Sequence, residues 1–157
     1  MEDSLKFEIR PARESDIAEL LQSYEWLFAP PGDRPARWDA QKAGAALREA
    51  ISSETATVLV AELDGAVIGF ATAYQDLRSV RFGLRTWVED LAVAPQRRSR
   101  GVGKALLDAA KAWAREHGAT RLALDSGEAR KDAHRFYERE SPTYRSISFG
   151  WFLSERR

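Results

Sequence analysis

At 157 residues, 44% hydrophobic and 31% charged, the chain is sized for a single globular domain spanning 1–157 with room for a sizeable core. Its 24 basic and 24 acidic residues cancel to a formal net charge of +0, which argues against a nucleic-acid partner, and zero cysteines exclude disulfides, a thiol nucleophile and thiolate metal sites. No run approaches the roughly 18 apolar residues that cross a bilayer, and Met1-Glu2-Asp3-Ser4 carries no basic-then-apolar leader, so no membrane partner and a cytoplasmic location are expected. With His117 and His134 as the only imidazoles, no arrangement of carboxylates completes a metal site, and none is expected.

Residues 6–11 alternate as a short strand with Phe7 and Ile9 on one face. Ser15 and Asp16 then offer a cap and dipole-favoured charge to a helix carrying Ile17, Leu20, Leu21, Tyr24, Leu27 and Phe28 at helical spacing. Pro30-Pro31-Gly32-Asp33-Arg34-Pro35 breaks it. A second helix is predicted over 38–52, with a narrow stripe of Leu47, Ala50 and Ile51. Residues 57–63 and 67–74 read as strands joined at Asp64-Gly65, a strong hairpin signal, and a loop over 76–83 leads to a strand over 87–93. Pro95 stops that strand, and from Val102 the residues Leu106, Leu107, Ala110, Trp113 and Ala114 recur at helical spacing until Gly118. A short strand at 122–124 and a helix over 131–139 follow. The final predicted strand, 144–153, places Phe149, Trp151 and Leu153 on one face; it is either a central strand buried on both sides or an interface.

The segment between the 87–93 strand and the long helix is the most informative. Gln96-Arg97-Arg98-Ser99-Arg100-Gly101-Val102-Gly103-Lys104 puts glycines and cations where a helix begins. The first N–H groups of a helix lack intrahelical partners and its dipole is positive there, so an anion is favoured. Gly101 and Gly103 let the backbone approach a ligand, and guanidinium groups grip phosphate oxygens in pairs. Neither the dinucleotide fingerprint G-x-G-x-x-G nor the nucleotide-triphosphate loop G-x-x-x-x-G-K-[ST] has this spacing.

The pattern Arg98-x-x-Gly101-x-Gly103, following a strand and opening a helix, resembles the acetyl-coenzyme A signature of the GNAT N-acetyltransferase superfamily. Arg10-Pro11-Ala12 followed by Asp16, Asp64-Gly65-x-x-Ile68-Gly69-Phe70, Glu89-Asp90-Leu91-Ala92-Val93-x-Pro95 and Ala133-x-x-Phe136-Tyr137-Glu138 are similar to further family segments in the same order. The resemblance implies an α/β fold, a strongly twisted mixed central sheet with helices on both faces and a splayed pair of strands binding the coenzyme. It also implies acetyl-CoA as co-substrate and a homodimer. Two departures stand out: Glu140-Ser141-Pro142-Thr143-Tyr144 replaces the usual glycine and aromatic residue after the last helix, and Asp125-Ser126-Gly127-Glu128-Ala129-Arg130 lacks the expected asparagine.

Carried onto this chain, the resemblance assigns the pantetheine arm to Leu91, Ala92 and Val93, with Ser126 replacing part of the missing asparagine's hydrogen bonding. The pyrophosphate falls to Arg98, Ser99, Arg100, Gly101, Val102, Gly103 and Lys104. The amide of Leu91 or Ala92 polarises the thioester oxygen, and Tyr137 lies beside the sulfur, as proton donor to the departing thiolate or as a core residue. For the base, strand alternation sends Glu89 and Asp90 to opposite faces, and the resemblance favours Glu89; the other reading pairs them with an arginine such as Arg85 or Arg121. The acceptor pocket is expected among Tyr24, Trp26, Phe28 and Trp38, the loop over 76–85 and the C-terminal strand, with Asp33, Asp39 and Asp76 suiting an aminoglycoside or polyamine. A small-molecule amine is the leading acceptor class; a protein lysine or N-terminus, and an acyl-CoA sensor without turnover, are the alternatives.

Overall fold

Asp64 and Gly65 both adopt left-handed φ, 50° and 80°, the combination a two-residue hairpin turn requires. They join β2 (Ala56–Leu63) to β3 (Ala66–Ser79), the two central strands. β1 (Glu8–Pro11) pairs antiparallel outside β2, β4 (Gly83–Val93) antiparallel on the other side of β3, and β5 (Arg121–Ala123) parallel to β4, giving the order β1-β2-β3-β4-β5. The structure, a computed structural model, describes residues 6–154.

The sheet is covered on both faces, which is why β2 and β3 read as near-continuous apolar runs. Val58, Val60 and Phe70 face α1 (Ile17–Ser23) and α3 (Ala40–Ser52), packing with Leu20, Leu47 and Ala50. Leu59, Ala61, Ile68 and Ala71 face α4 (Val102–Glu116), packing with Val102, Leu106 and Ala110. Alternate side chains of one strand therefore serve two cores. Gly69 sets the approach of α4: a Cβ there would lie 3.0 Å from Val102 Cγ1 and 3.1 Å from Leu106 Cδ1.

Several elements depart from the sequence expectation. The helix over 17–28 is divided at Tyr24 into α1 and α2 (Glu25–Phe28), where the tyrosine ring packs 4.9 Å from Phe70 and a tertiary contact overrides the apolar periodicity. α3 begins at Ala40 rather than Trp38 because Asp39 caps it, accepting from the amides of Gln41 and Lys42 at 2.9 and 3.1 Å. The expected loop over 76–83 shrinks to a turn at 80–82, its flanks being the outer ends of β3 and β4, held by two bonds from Arg85 to Asp76; the exposed end of β3 leaves no apolar alternation to read. α5 (Lys131–Arg139) falls where the sequence put it. The predicted strand over 144–153 pairs with nothing among the described residues and leaves its apolar side chains exposed. Among the described residues no strand pairs with it.

At the entry to α1, Arg10 donates to both carboxylate oxygens of Asp16, at 2.7 and 2.9 Å, and to Glu62, while the Arg13 amide donates to Asp16 at 2.6 Å. The arginine bonds outweigh burial and hold the Asp16 carboxyl below its usual range. Asp16→Asn is expected to cost about 2–3 kcal/mol at neutral pH. Because the folded pKa is depressed, Asp16 stabilises above the ordinary carboxylate pKa of about 4 and this contribution is lost on acidification, so the gap in unfolding temperature between wild type and variant narrows as pH falls below that range.

Candidate active site

β3 and β4 fall out of step at one place. Ala73 pairs with Val88 and Thr72 with Asp90, so Glu89 is an extra residue on β4, a β-bulge. The bulge cancels the alternation that would send Glu89 and Asp90 to opposite faces, and both carboxylates turn to the α1 and α3 side. Asp90 Oδ2 accepts from the Tyr24 hydroxyl at 2.8 Å and the Thr72 hydroxyl at 2.7 Å. Glu89 Oε2 accepts from the Trp87 indole N–H at 2.7 Å, and its charge acts on Asp90, Tyr24 and Tyr74 alike. Burial pushes the Asp90 carboxyl up, against the lowering effect of its two hydroxyl donors, and the Glu89 charge adds to the rise. Burial likewise drives the Tyr24 phenol far upward, so it remains a donor. Arg85, a candidate partner for either carboxylate, is bound to Asp76 instead.

Beyond the bulge, β4 has an open side. β5 pairs with it only from Arg85 to Trp87, leaving the β5-facing edge from Val88 to Val93 without a strand. The Asp90 amide donates to Thr72 Oγ1 and the Ala94 amide to the Ile68 carbonyl, both on β3. Amide direction alternates along a strand, so Ala92 also faces β3, while the N–H groups of Leu91 and Val93 face the open edge. Of the two amides considered as thioester donors, Leu91's is the one that is available.

The edge runs into the anion-binding turn. Gly101 caps α4 with φ of 85°, and the first helical bond is from the Ala105 amide to the Gly101 carbonyl, so the amides of Val102, Gly103 and Lys104 precede the ladder at the positive end of a 15-residue helix. A Cβ on Gly103 would lie 3.4 Å from Phe136 and 3.8 Å from Val93, which brings α4, β4 and α5 together at this point. Arg98 Nε donates to the Val93 carbonyl at 3.2 Å, while Ser99 takes a left-handed φ of 60°. Arg97 and Arg100 are exposed alongside. The Lys104 side chain pairs with Asp108 at 3.1 Å and Glu140 at 3.3 Å, while its amide stays at the helix start.

Tyr137 on α5 is half-buried, and desolvation pushes its phenol up to about 12 against the opposing charge of Arg130. His134 is spent on the Gly127 carbonyl at 2.9 Å. Ser126 Oγ, after β5, is buried without a protein partner. Unladdered amides, an open strand edge and an orphaned hydroxyl form a set that suits a long ligand with phosphates at one end and amide groups along its arm.

On the carboxylate side, Tyr24, Trp38, Ala43, Ala46, Leu47 and Tyr74 line a cleft of about 220 Å³. Tyr24 and Trp38 reach it as expected, 5.5 Å apart; Trp26 packs on Phe70 in the core, and Phe28 supports Trp38 edge-on at 4.8 Å. Of the acidic residues proposed for a polycation, Asp39 is consumed in capping α3 and Asp76 by Arg85. Tyr74 and Thr72 were not read as site residues. Their signal is the alternation of Phe70, Thr72 and Tyr74 along β3, which becomes informative once the register to Asp90 is known.

Residues 17–141 match the model of the acetyltransferase (GNAT) family. The chain is 33% identical over 133 residues to the N-acetyltransferase YhfO of Bacillus subtilis, covering 83% of this chain and 85% of that one. In fold it is similar to an aminoglycoside acetyltransferase from a soil metagenome, solved with trehalose (TM-score 0.77, 20% identity, 99% of this chain and 100% of that one). It is equally similar to the aminoglycoside N-acetyltransferase AAC(6')-Iy, solved with CoA (TM-score 0.77, 21% identity, 96% and 98% covered). The anion-binding turn, the opened strand edge and a family match over most of the chain agree: this chain belongs to the GNAT acetyltransferase family.

Proposed function

We propose that this acetyltransferase uses acetyl-CoA to acetylate the primary amine of a small molecule held in the Tyr24–Trp38–Tyr74 cleft. The observation that carries this reading is the bulge at Glu89, which turns two carboxylates to the side of the sheet that carries a half-open aromatic cleft, beside the opened edge of β4. Aromatic faces and carboxylates together attract an ammonium group, and the aminoglycoside acetyltransferases among the structural neighbours support a small-molecule acceptor.

Bound acetyl-CoA supplies an acyl group already activated as a thioester. The amides of Val102, Gly103 and Lys104, with Arg98 and Arg100, hold the phosphates, and the Val93 amide and Ser126 Oγ hold the arm. The Leu91 amide serves as the oxyanion donor. Glu89 is the base: it is exposed enough to pass a proton on, and it takes that proton from the incoming ammonium at Oε2 or through one water. Asp90, held by hydrogen bonds from Tyr24 and Thr72, fixes a second carboxyl beside it. Tyr137 keeps its phenolic proton throughout the neutral range and gives it up where negative charge develops on sulfur.

Titration with acetyl-CoA in a thermal-shift assay, followed by free-thiol release over a panel of monoamines, aminoglycosides, polyamines and lysine peptides, tests the reading. A ligand at 100 times its Kd stabilises by about 2.7 kcal/mol. Release with a small amine supports the proposal; release with peptides alone refutes the acceptor class. Gly101→Val removes acetyl-CoA stabilisation, because only glycine accepts the left-handed cap without strain. Glu89→Gln lowers kcat by about 10²-fold or more while the acetyl-CoA Kd stays within about twofold. Tyr137→Phe lowers kcat with little change in that Kd. With its pKa near 12, Tyr137 does not deprotonate below about pH 10, so wild-type kcat shows no alkaline decline from this group between pH 7 and 10.

A further inference from the structure

Two irregularities interrupt the pairing of β3 with β4, one on each strand, and Trp87 lies between them. On β4 the extra residue is Glu89; on β3 it is Asp76, because Gln75 pairs with Thr86 and Leu77 with Arg85. Between the two the ladder runs in step. Trp87 pairs with Tyr74, so its side chain shares the face of the sheet on which Tyr74 lines the cleft. Arg85, two residues earlier on the same strand, shares that face.

Both extra residues are carboxylates, and the side chains between them join one to the other. Asp76 receives a bidentate fork from Arg85, Nε to Oδ1 at 2.9 Å and Nη2 to Oδ2 at 2.6 Å. Two parallel bonds fix the plane of a guanidinium as well as its position, and with side-chain exposures of 24% and 30% the pair is largely sheltered from water. The guanidinium carbon lies 5.0 Å from the centre of the Trp87 ring, a cation–π contact. The Trp87 indole N–H then donates to Glu89 Oε2 at 2.7 Å. So held, Glu89 acts by its charge on Tyr24 and Tyr74 of the cleft.

Glu89 is exposed, and an exposed glutamate spreads over several rotamers. A base that must meet an amine at one place works faster when it is confined to the rotamer that faces it. We infer that Trp87 is a positioning residue for this reaction: its indole N–H confines the Glu89 carboxylate, and Arg85, anchored on Asp76, confines the indole. This role rests on Glu89 being the base of the proposed acetyl transfer. An indole nitrogen donates and cannot accept, so it competes for no proton. It takes one acceptor position of Oε2 and leaves Oε1 and the second position of Oε2 to the incoming ammonium or its water. The outer ladder of β3 and β4 thereby belongs to the site, since it carries the Asp76–Arg85 anchor.

Trp87→Phe keeps an aromatic ring beside Arg85 and removes the N–H. It is expected to lower kcat by about fivefold or more, with the acceptor KM and the acetyl-CoA Kd within about twofold of wild type. In a Glu89→Gln background, where no base remains to be positioned, the same substitution is expected to change kcat by less than about twofold. Arg85→Met removes the anchor and is expected to lower kcat by about threefold or more. Neither Trp87 nor Arg85 is buried, so both variants are expected to keep the wild-type circular dichroism spectrum. The bond itself is read by nuclear magnetic resonance without substrate or coenzyme. Among the indole N–H cross-peaks of the five tryptophans in an isotope-labelled chain, the one lost in Trp87→Phe is expected to move upfield in Glu89→Ala. A cross-peak that ignores Glu89→Ala overturns the hold. Wild-type kcat in Trp87→Phe beside a disabled Glu89→Gln overturns the positioning role and leaves Glu89 as the base, and wild-type kcat in Arg85→Met overturns the anchor. Equal losses from Trp87→Phe in both backgrounds show the ring to be structural and overturn the role as well. Wild-type kcat in Glu89→Gln instead rejects the base, and the positioning role with it, whatever the cross-peak shows.

Discussion

The geometry of the site depends on one extra residue in β4. Without the bulge at Glu89, β3 and β4 would stay in step, and one of the two adjacent carboxylates would point into the core packed on α4. With it, Glu89 and Asp90 share the α1 and α3 side, and Asp90 finds Thr72 across the strand pair and Tyr24 from the helix above. A buried carboxylate is tolerated only when its hydrogen-bonding capacity is met. The hydroxyls of Tyr24 and Thr72 both donate to its Oδ2, and in doing so fix the tyrosine ring that lines the cleft. The pairing also explains why the first helix is divided at Tyr24: the ring that packs on Phe70 carries the hydroxyl that reaches Asp90.

The same strand provides the second half of the site. β4 is paired along its whole length with β3 but with β5 only at its beginning, so its far end presents donors on one side without losing attachment on the other. Gly69 allows α4 to lie close enough that its N-terminus meets the end of that edge, and Gly103 lets Phe136 of α5 pack against the turn. The two glycines serve proximity, while Gly101 serves conformation through its left-handed φ. The acid, the edge donors and the anion-binding turn are thereby carried on rigid elements rather than on loops, which holds their spacing.

The aromatic character of the cleft qualifies the acceptor. Of the three acidic side chains suited to a polycation, Asp39 is engaged at a helix cap and Asp76 with Arg85, whereas Tyr24, Trp38 and Tyr74 line the cleft. On the proposed reading, Glu89 meets an ammonium group and the rings offer surface for an apolar body.

Much of this protein was legible in its sequence because local chemistry dictated it. Asp64-Gly65 specified a hairpin, the periodicity after Val102 specified α4, Arg98-x-x-Gly101-x-Gly103 specified a glycine-capped turn at that helix's start, and 131–139 specified α5, since each depends on neighbours within a turn or two of chain. The departures all depend on distant partners. A bulge exists only relative to the strand it slips against, so no reading of Glu89-Asp90 alone could replace alternation with a shared face. The outer ends of β3 and β4, up to Ser79 and from Gly83, are held by their pairing and by Arg85 with Asp76, not by an apolar pattern. Trp26 and Trp38 are alike in sequence, yet contact with Phe70 takes one into the core and leaves the other at the cleft. The stretch over 144–153 carries a clear strand pattern and no strand, because the sequence determines the propensity to pair while only the tertiary structure decides whether an edge is within reach.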